Sequence, residues 1–287
     1  MIEPTRQDEP ATGPDAVGGD LVATDPGETD HWRSLLTGED PSLRRLRGAW
    51  RRVPHGPRCK VCSAPFAGVG GAATRLILHG RAIANPTMCT TCFKSLASHP
   101  GGTDLDISVL FADVRGSTAL AEQIGPVAFR AALQTFYGLA AAAIEGQGGF
   151  VDKYLGDGVM AQFIPILAGE AHVDRAITAA LELTSAVERS SLPAAGFRVG
   201  AGVQCGTAFV GVLGSGQTFD FSALGDPVNV AARLGSIAGP GEVMVSREAW
   251  QAAGRSDGGE ERTVEIAGRH EPLDVVVIPA SSGGAGG

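Results

Sequence analysis

The sequence lacks any long apolar run, and this limits where the protein can work. No stretch approaches the ~18 consecutive apolar residues of a membrane-spanning helix. The acidic N-terminus also does not resemble a signal peptide. Hydrophobic residues nevertheless make up 44% of 287 residues, which is enough to bury a substantial core. We expect a globular protein without a transmembrane segment, located in the cytoplasm.

Acidic residues are nearly absent from residues 31–99, where eleven Lys and Arg face only Glu39 and Asp40. Residues 1–30 show the opposite bias, with eight acids and one basic residue, and 100–287 carry a net charge of −10. Such segmentation indicates accessory regions followed by a main domain. We expect these regions: a disordered acidic tail (1–30), a basic amphipathic helical segment (31–56), a four-cysteine module (57–96), a linker (97–103), the main domain (104–279) and a flexible tail (280–287).

Cysteine is also scarce, and four of the five cysteines form two C-x-x-C pairs, Cys59 with Cys62 and Cys89 with Cys92. Two such turns can supply the four thiolates of a tetrahedral Zn²⁺ site. The stretch between the pairs is too small for a core of its own, so the metal would provide folding energy. We predict one structural zinc ion. An iron–sulfur cluster or a redox dithiol pair stays open as the alternative, because four thiolates alone do not select the metal.

The basic segment contains an amphipathic pattern in "SLRRLRGAWRRV". Leu43, Leu46, Trp50 and Val53 follow helical spacing, and arginines occupy the other faces. We expect a short helix that docks on its own protein and leaves a basic face in solvent. Contact with an anionic membrane surface is the alternative. Nucleic acid is disfavoured as a partner, since metal-bound thiolates would cancel part of the positive charge.

Residues 104–279 show the periodicities of alternating strands and helices. A strand ends on Asp113, and the helix after it is interrupted near Gly125. A hairpin then turns at Gly156-Asp157-Gly158, and 197–214 indicates paired strands with a glycine-rich bend. The order β-α-β-β-α-β predicts an α+β fold: a ferredoxin-like core sheet with helices packed on it, preceded by a small four-cysteine metal module.

Two carboxylates are expected to converge in this topology, because Asp113 ends a strand and Asp157 lies at the tip of a neighbouring hairpin. Carboxylate oxygens suit a pair of Mg²⁺ or Mn²⁺ ions that also contact substrate phosphates. Between them the chain turns from strand to helix at Gly116-Ser117-Thr118, with Ser117 and Thr118 as cap candidates. The free N–H groups of such a turn can bind a polyphosphate.

Four stretches in this domain carry a family resemblance: "VLFADVRGST" (109–118), "FVDKYLGDGVMAQF" (150–163), "ALGDPVNVAARL" (223–234) and "GEVMVS" (241–246). With them the domain resembles the catalytic domain of the class III adenylate/guanylate cyclases. The resemblance implies that Asp113, Val114 and Asp157 hold two Mg²⁺ or Mn²⁺ ions. It also implies cyclisation of a nucleoside triphosphate with release of pyrophosphate.

The resemblance places Lys153 and Ser222 in the base pocket. A lysine donor suits adenine N1, whereas guanylate cyclases typically carry Glu there, so Lys153 favours ATP. Ser222 stands where many adenylate cyclases have Asp and a subset has Thr or Ser, and a hydroxyl discriminates less firmly because it can donate or accept. A guanylate cyclase is therefore the alternative.

Asn229 and Arg233 lie four residues apart and so share one helix face. The resemblance gives Asn229 the ribose and Arg233 the charge of the transition state. Asp226 is expected to be the N-cap of this helix. Ala267 is a departure, since relatives often place a phosphate-binding Lys there, and Arg262 or Arg269 could compensate.

The family's sites form between two head-to-tail protomers, so the resemblance implies a homodimer with two equivalent sites. The four-cysteine module is expected to regulate the dimer. Two other hypotheses remain: a catalytically silent cyclase-like domain, and a zinc-dependent nucleic-acid-binding regulator that acts through the basic segment.

Overall fold

The computed structural model describes residues 26–53, 58–59, 61–76, 80–82, 88–98, 101–215, 218–256, 258–266, 268–269 and 271–279. Most of the expected acidic tail, part of the expected linker, Ala267 and the expected flexible C-terminal tail lie outside these ranges.

Helices and strands alternate through the second part of the chain as their periodicity predicts. The helices are α1 (Pro26–Thr37), α2 (Pro41–Arg51), α3 (Gly68–Leu76), α4 (Thr90–Ser98), α5 (Ser117–Ile124), α6 (Pro126–Gly146), α7 (Pro165–Ala168), α8 (His172–Arg189), α9 (Asp226–Ile237) and α10 (Arg247–Ala252). The strands are β1 (Gly102–Val114), β2 (Phe150–Leu155), β3 (Gly158–Phe163), β4 (Val199–Ser215), β5 (Thr218–Leu224), β6 (Glu242–Ser246), β7 (Glu260–Val264) and β8 (Leu273–Pro279).

The strands form one eight-stranded sheet in the order β2-β3-β1-β4-β6-β8-β7, with β5 paired to β4. The first four strands of this order, joined by helices in the sequence β1-α-β2-β3-α-β4, confirm the predicted ferredoxin-like core. β1 pairs antiparallel with both β3 and β4. This central position of β1 holds Asp113 at the strand end beside the β2–β3 hairpin.

One strand prediction was wrong, because residues 197–214 do not form a pair of strands with a bend. Residues 199–215 are the single strand β4, whose register with β1 runs unbroken from Gly102↔Gly211 to Val114↔Val199. The glycines serve close packing instead of a turn. A Cβ on Gly202 would lie 2.1 Å from the backbone nitrogen of Gly235 in α9, so a larger residue would push α9 off the sheet.

Two helix caps also differ from expectation. α5 is capped by Gly116 in the left-handed conformation (φ 63°), without a side-chain cap from Ser117 or Thr118. α9 is preceded by Gly225 as its cap, and Asp226 is already the first helical residue. In both places a glycine precedes the first helical residue, and the neighbouring polar side chains do not cap the helix.

One face of the sheet is closed by α6 and α8. The apolar cluster there includes Leu110 and Val203 from the strands and Ile177 from α8. Phe136 on α6 is fully buried against Phe197, with ring centroids 5.8 Å apart. Within the described residues, α6 is the one helix long and apolar enough to cross a membrane by length and composition; a core helix passes the same test. This core lies on the side of β1 away from Asp113, because successive side chains alternate between faces.

The other face carries a second cluster that joins the sheet to the N-terminal segment. Ile107 and Val109 contribute from β1, and Trp32 and Leu36 from α1, each of the last two only 3% exposed. Trp32 stacks on Phe221 of β5 at 6.4 Å between ring centroids. α1 begins at Pro26, so the expected boundary between tail and helical segment at residue 30 falls inside a docked helix.

The basic helix α2 docks on its own chain, as expected, but with a different inward face. Leu43 and Trp50 are partly buried, whereas Leu46 is 36% exposed. Arg47 is buried in its place and donates a hydrogen bond from Nη1 to the carbonyl oxygen of Val61 at 2.8 Å. Arg58 likewise donates to the carbonyl of Trp50 at 2.8 Å. Part of the positive charge in this segment is therefore used to join α2 to the cysteine pairs.

Candidate active site and thiol cluster

The two candidate metal carboxylates lie at one edge of the sheet. Asp113 is in register with Gly158, the residue that follows Asp157 in the hairpin, and the amide of Val114 donates to the Asp157 carbonyl at 3.3 Å. Burial, and then the negative charge of Asp157, raise the pKa of Asp113. The neighbouring carboxylate thus disfavours the charged form of Asp113, and a divalent cation would relieve this. The oxygen donors present thus fit Mg²⁺ or Mn²⁺.

Two residues that the sequence did not single out hold this edge in place. Arg115 pairs with the Asp113 carboxylate at 3.0 Å and donates to the carbonyl oxygens of Ser236 and Ala238 at the end of α9. Tyr137 on α6 donates its hydroxyl proton to the carbonyl of Gly156, in the turn beside Asp157. Arg115 stands directly after the "FADV" motif, so its position was a usable signal. No comparable signal marked Tyr137 in the sequence, because Gly156, its hydrogen-bond partner, lies 19 residues away.

The N-terminus of α5 faces the same edge. Gly116 has no heavy atom within 4 Å of a Cβ position, so only its left-handed backbone requires glycine. Gly116 and Thr118 are exposed and Ser117 is half-buried. The first N–H groups of an α-helix have no intrahelical acceptor. The structure therefore places a turn whose N–H groups lack intrahelical acceptors directly after the strand that carries Asp113, and the binding of phosphate by this turn stays a prediction.

Lys153 and Ser222, the candidate base-pocket residues, lie close together although their strands are far apart in sheet order. β2 and β5 are separated by β3, β1 and β4, which in a flat sheet would place them about 19 Å apart. Asp220 of β5 nevertheless contacts Lys153 at 2.9 Å, and Ser222 contacts Asp152 at 2.6 Å. The sheet must curl to allow these contacts.

The lysine remains charged in this environment. Burial alone would lower the pKa of Lys153, but the carboxylate of Asp220 outweighs it and the pKa rises. One ammonium proton is directed to Asp220 and the others stay available to a ligand. Asp220, missed by the sequence analysis, is thus the residue that orients Lys153.

Asn229 and Arg233 line a cavity of about 420 Å³ and project from the same exposed face of α9, as their spacing predicts. Arg269 also lines it and pairs with Asp226 at 3.3 Å. Arg262 does not: it pairs with Glu242 and Glu260. Of the two arginines considered as substitutes for a lysine at position 267, the structure places Arg269 beside Arg233.

The candidate residues therefore fall into three groups within one chain. Among the described residues, neither carboxylate lines the cavity of Asn229 and Arg233, and neither Lys153 nor Ser222 does. Each group has the chemistry for one part of a nucleotide: a metal-bound phosphate edge, a base contact, and a cationic cavity.

The four candidate zinc ligands form one cluster. The Sγ atoms of Cys59, Cys62, Cys89 and Cys92 all lie within 4.8 Å of one another, and three of these residues are buried. The amide of Cys89 donates to Cys59 Sγ at 3.2 Å, and the hydrogen bonds from neighbouring thiols, Cys59 first, lower the pKa of Cys89.

The spacing of the thiols fits a single tetrahedral ion. Zn–S bonds of about 2.3 Å imply Sγ–Sγ separations of about 3.8 Å, and Cys62 and Cys89 are 3.7 Å apart. A cluster of several irons would spread its thiolates further. All five cysteines lie within the described residues, and none of them, Cys205 included, forms a disulfide.

Comparison with known proteins identifies the domain that carries the three groups. Residues 103–277 match the family described as "Adenylate and Guanylate cyclase catalytic domain". This match covers more than half of the chain, and the protein belongs to this class III cyclase family. The expected resemblance and fold class are confirmed.

Of two curated relatives, one is named for its nucleotide and the other is uncharacterized. An adenylate cyclase of Anabaena cylindrica is 32% identical over 139 residues, which is 45% of this chain and 26% of that protein. An uncharacterized protein of Mycobacterium tuberculosis is 30% identical over 175 residues, 60% of this chain and 31% of its own length. The chain thus spans about a third or less of these relatives.

The similar solved structures include both a guanylyl and an adenylyl cyclase. The guanylyl cyclase Cya2 aligns with a TM-score of 0.57 and 26% identity over 62% of this chain and 93% of that one. The adenylyl cyclase CyaB from P. aeruginosa, at 24% identity, shares the fold with a TM-score of 0.56, covering 62% and 95%. The family is shown by the match of residues 103–277, and the nucleotide must be argued from the site.

Proposed function

We propose that the protein is an adenylate cyclase that converts ATP to 3′,5′-cyclic AMP and pyrophosphate. The observation that carries the proposal is the pair Asp113 and Asp157 at one sheet edge of a class III cyclase domain that also has Lys153 held on Asp220. In the reaction, the ribose 3′-oxygen loses its proton to solvent and bonds to the α-phosphorus. The bond from that phosphorus to the leaving pyrophosphate breaks.

ATP is favoured over GTP because of hydrogen-bond polarity. The charged ammonium of Lys153 is a donor only, and adenine N1 is an acceptor. Guanine carries N1–H at that place, so a lysine would face another donor. A guanylate cyclase remains the second candidate, because a structural relative is named as one and Ser222 can change its polarity.

Three side chains around the cavity on α9 are suited to the polar parts of the nucleotide. We assign Asn229 to the ribose and Arg233 to the charge that develops at the phosphorus and the leaving group. Arg269 takes the phosphate-binding role that a lysine at position 267 would have, since it lines the same cavity as Arg233. Asp226 keeps Arg269 in place until phosphate oxygens compete for it.

Asp113 and Asp157, with Val114, would hold two Mg²⁺ or Mn²⁺ ions. When bound, these ions supply Lewis acidity at the 3′-oxygen and charge neutralisation at the triphosphate. Around them, Arg115 fixes the Asp113 carboxylate, and the free amides at Gly116, Ser117 and Thr118 receive phosphate oxygens.

A head-to-tail homodimer would bring the separate groups together. Within one chain the carboxylates do not line the cavity of Asn229 and Arg233 in the described part of the structure. A two-fold assembly can place the carboxylates of one protomer against the cavity of its partner, and so form two equivalent sites.

The N-terminal region is proposed to bind one structural zinc ion and to regulate the dimer. α1 gives it a route to the site, because Trp32 stacks on Phe221, the residue between Asp220 and Ser222. Cysteines without disulfide bonds and ATP as substrate both favour the cytoplasm, where the environment is reducing.

The test is turnover by the purified protein with Mn²⁺ and either ATP or GTP, measured as cyclic nucleotide. Cyclic AMP as the main product supports the proposal, and cyclic GMP in its place would transfer the assignment to the guanylate alternative. No product with either substrate, from folded dimeric protein, would favour the catalytically silent domain.

A further inference from the structure

A β-bulge in β2 places two neighbouring charged residues on the same side of the sheet. The register of β2 against β3 shifts between Val151↔Ala161 and Lys153↔Met160, so Asp152 is the extra residue. In a regular strand, Asp152 and Lys153 would point to opposite faces. The bulge instead lets Asp152 accept a hydrogen bond from Nε2 of Gln162, while Lys153 contacts Asp220.

The carboxylate of Asp152 also accepts from Ser222. Ser222 is 2% exposed, and its Oγ lies 2.6 Å from Oδ2 of Asp152, the same oxygen that Gln162 contacts at 3.0 Å. Oδ1 of Asp152 is buried and has no hydrogen-bond partner within the described residues. Burial raises the pKa of this carboxyl, and the hydrogen bond from Ser222 opposes that rise.

A hydroxyl whose proton is already donated can only accept from a third group. The contact with Asp152 therefore removes the ambiguity of Ser222, which on its own could face either base. With Lys153 as donor and Ser222 as acceptor, the pocket matches N1 and the 6-amino group of adenine. Guanine offers N1–H and a 6-oxo acceptor, and it would be mismatched at both positions.

We propose that Asp152 is a positioning residue that sets nucleotide specificity by holding Ser222 as a hydrogen-bond acceptor. The proposal rests on the cyclase function above and adds the element that selects the base. It also explains how a serine at this place can serve an ATP-using enzyme.

The experiment compares the ATP-to-GTP ratio of kcat/KM, and of equilibrium affinity, in wild type and Asp152 variants. Asp152→Ala releases the Ser222 hydroxyl, which can then donate to guanine. We expect the ratio to fall about tenfold, the value of one net hydrogen bond. Asp152→Asn retains an acceptor oxygen for Ser222 and should keep most of the selectivity.

Two controls separate positioning from other roles. Asp106→Ala removes a carboxylate that accepts from the hydroxyl of Thr207 at 2.5 Å outside the site, and it should leave the ratio unchanged. In a Ser222→Ala background, Asp152→Ala should cause no further change in the ratio, because its effect passes through that hydroxyl.

Several results would overturn the inference. The first is an unchanged ATP-to-GTP ratio in Asp152→Ala. The second is an equal fall of the ratio in Asp152→Ala and Asp152→Asn, which would indicate a charge effect on Lys153. The third is a fall of the ratio that adds to the effect of Ser222→Ala. Absence of turnover in wild type would refute the cyclase function alone, since the affinity ratios still decide the role of Asp152.

Discussion

The carboxylate edge and the thiol cluster are both candidate metal sites, but different interactions hold them in place. Asp113 and Asp157 lie at the edge of a sheet whose core is filled by fully buried residues such as Phe136, Phe163 and Leu183. The thiols of the N-terminal module are themselves its interior: Cys59 and Cys62 are at most 1% exposed. We therefore expect the fold to tolerate loss of a carboxylate at the sheet edge, and the N-terminal module not to tolerate loss of a thiol.

The strongest test of this difference is Asp113→Ala. It removes an oxygen donor from a partly exposed position, so the fold should persist while turnover falls by about 10³-fold. Circular dichroism and cyclic AMP production measure the two effects. Asp104→Ala, an exposed carboxylate on the same strand, is the control and should retain activity. Substantial activity in Asp113→Ala would show that this carboxylate holds no catalytic metal.

Complementation tests whether the site is shared between chains. Asp113→Ala and Arg233→Ala, each nearly inactive, should regain activity when mixed, because a heterodimer keeps one intact site. Random mixing would restore at most about a quarter of wild-type activity. If subunits exchange and activity stays absent, the site is built within one chain.

Lys153→Glu tests the base contact with a smaller effect. It replaces a donor by an acceptor, and kcat/KM for ATP should fall about 10- to 100-fold. The new carboxylate beside Asp220 should also lower the thermal stability slightly, because the ion pair of Lys153 is lost and like charges meet. Asp220→Asn is the companion variant: it keeps the lysine but weakens its orientation, so a milder loss is expected. Unchanged ATP kinetics in Lys153→Glu would mean that the lysine does not contact the base.

Arg269→Ala tests the substitute for the missing lysine. The Michaelis constant for ATP should rise about tenfold, the cost of one charge-assisted contact. Arg262→Ala is the matched control, because that arginine pairs with Glu242 and Glu260 away from the cavity. Equal effects of the two variants would argue against a phosphate role for Arg269.

Cys59→Ser, or a chelator, tests the thiol cluster of the N-terminal module. The 57–96 segment should unfold while the catalytic domain keeps its melting transition, since metal and thiolates provide most of the module's folding energy. Turnover should change only severalfold, through α1 and Phe221. Elemental analysis should find about one zinc per chain. Iron with visible absorbance, or a folded metal-free module, would contradict the zinc assignment.

The sequence by itself determined the elements and most of the candidate residues. Strand and helix periods, and the turn at Gly156-Asp157-Gly158, depend on neighbours along the chain, so β1, the hairpin and α9 could be predicted. The C-x-x-C pairs and the i, i+4 spacing of Asn229 and Arg233 are local for the same reason. The exception was β4, where glycines indicated a bend but β1 pairs with the strand throughout.

Only the tertiary structure decided how these parts meet. The contact of Ser222 with Asp152 joins residues 70 positions apart on strands that a flat sheet would keep separate. It depends on the bulge at Asp152 and on the curl of the sheet, neither of which a sequence period records. The docking of Trp32 on Phe221 also depends on tertiary packing. So does the position of Arg269, which lines the cavity of Arg233 where Arg262 does not. Such contacts arise from the packing of whole elements, because the free energy of burial depends on which surfaces meet in space and not on the order of residues in the chain.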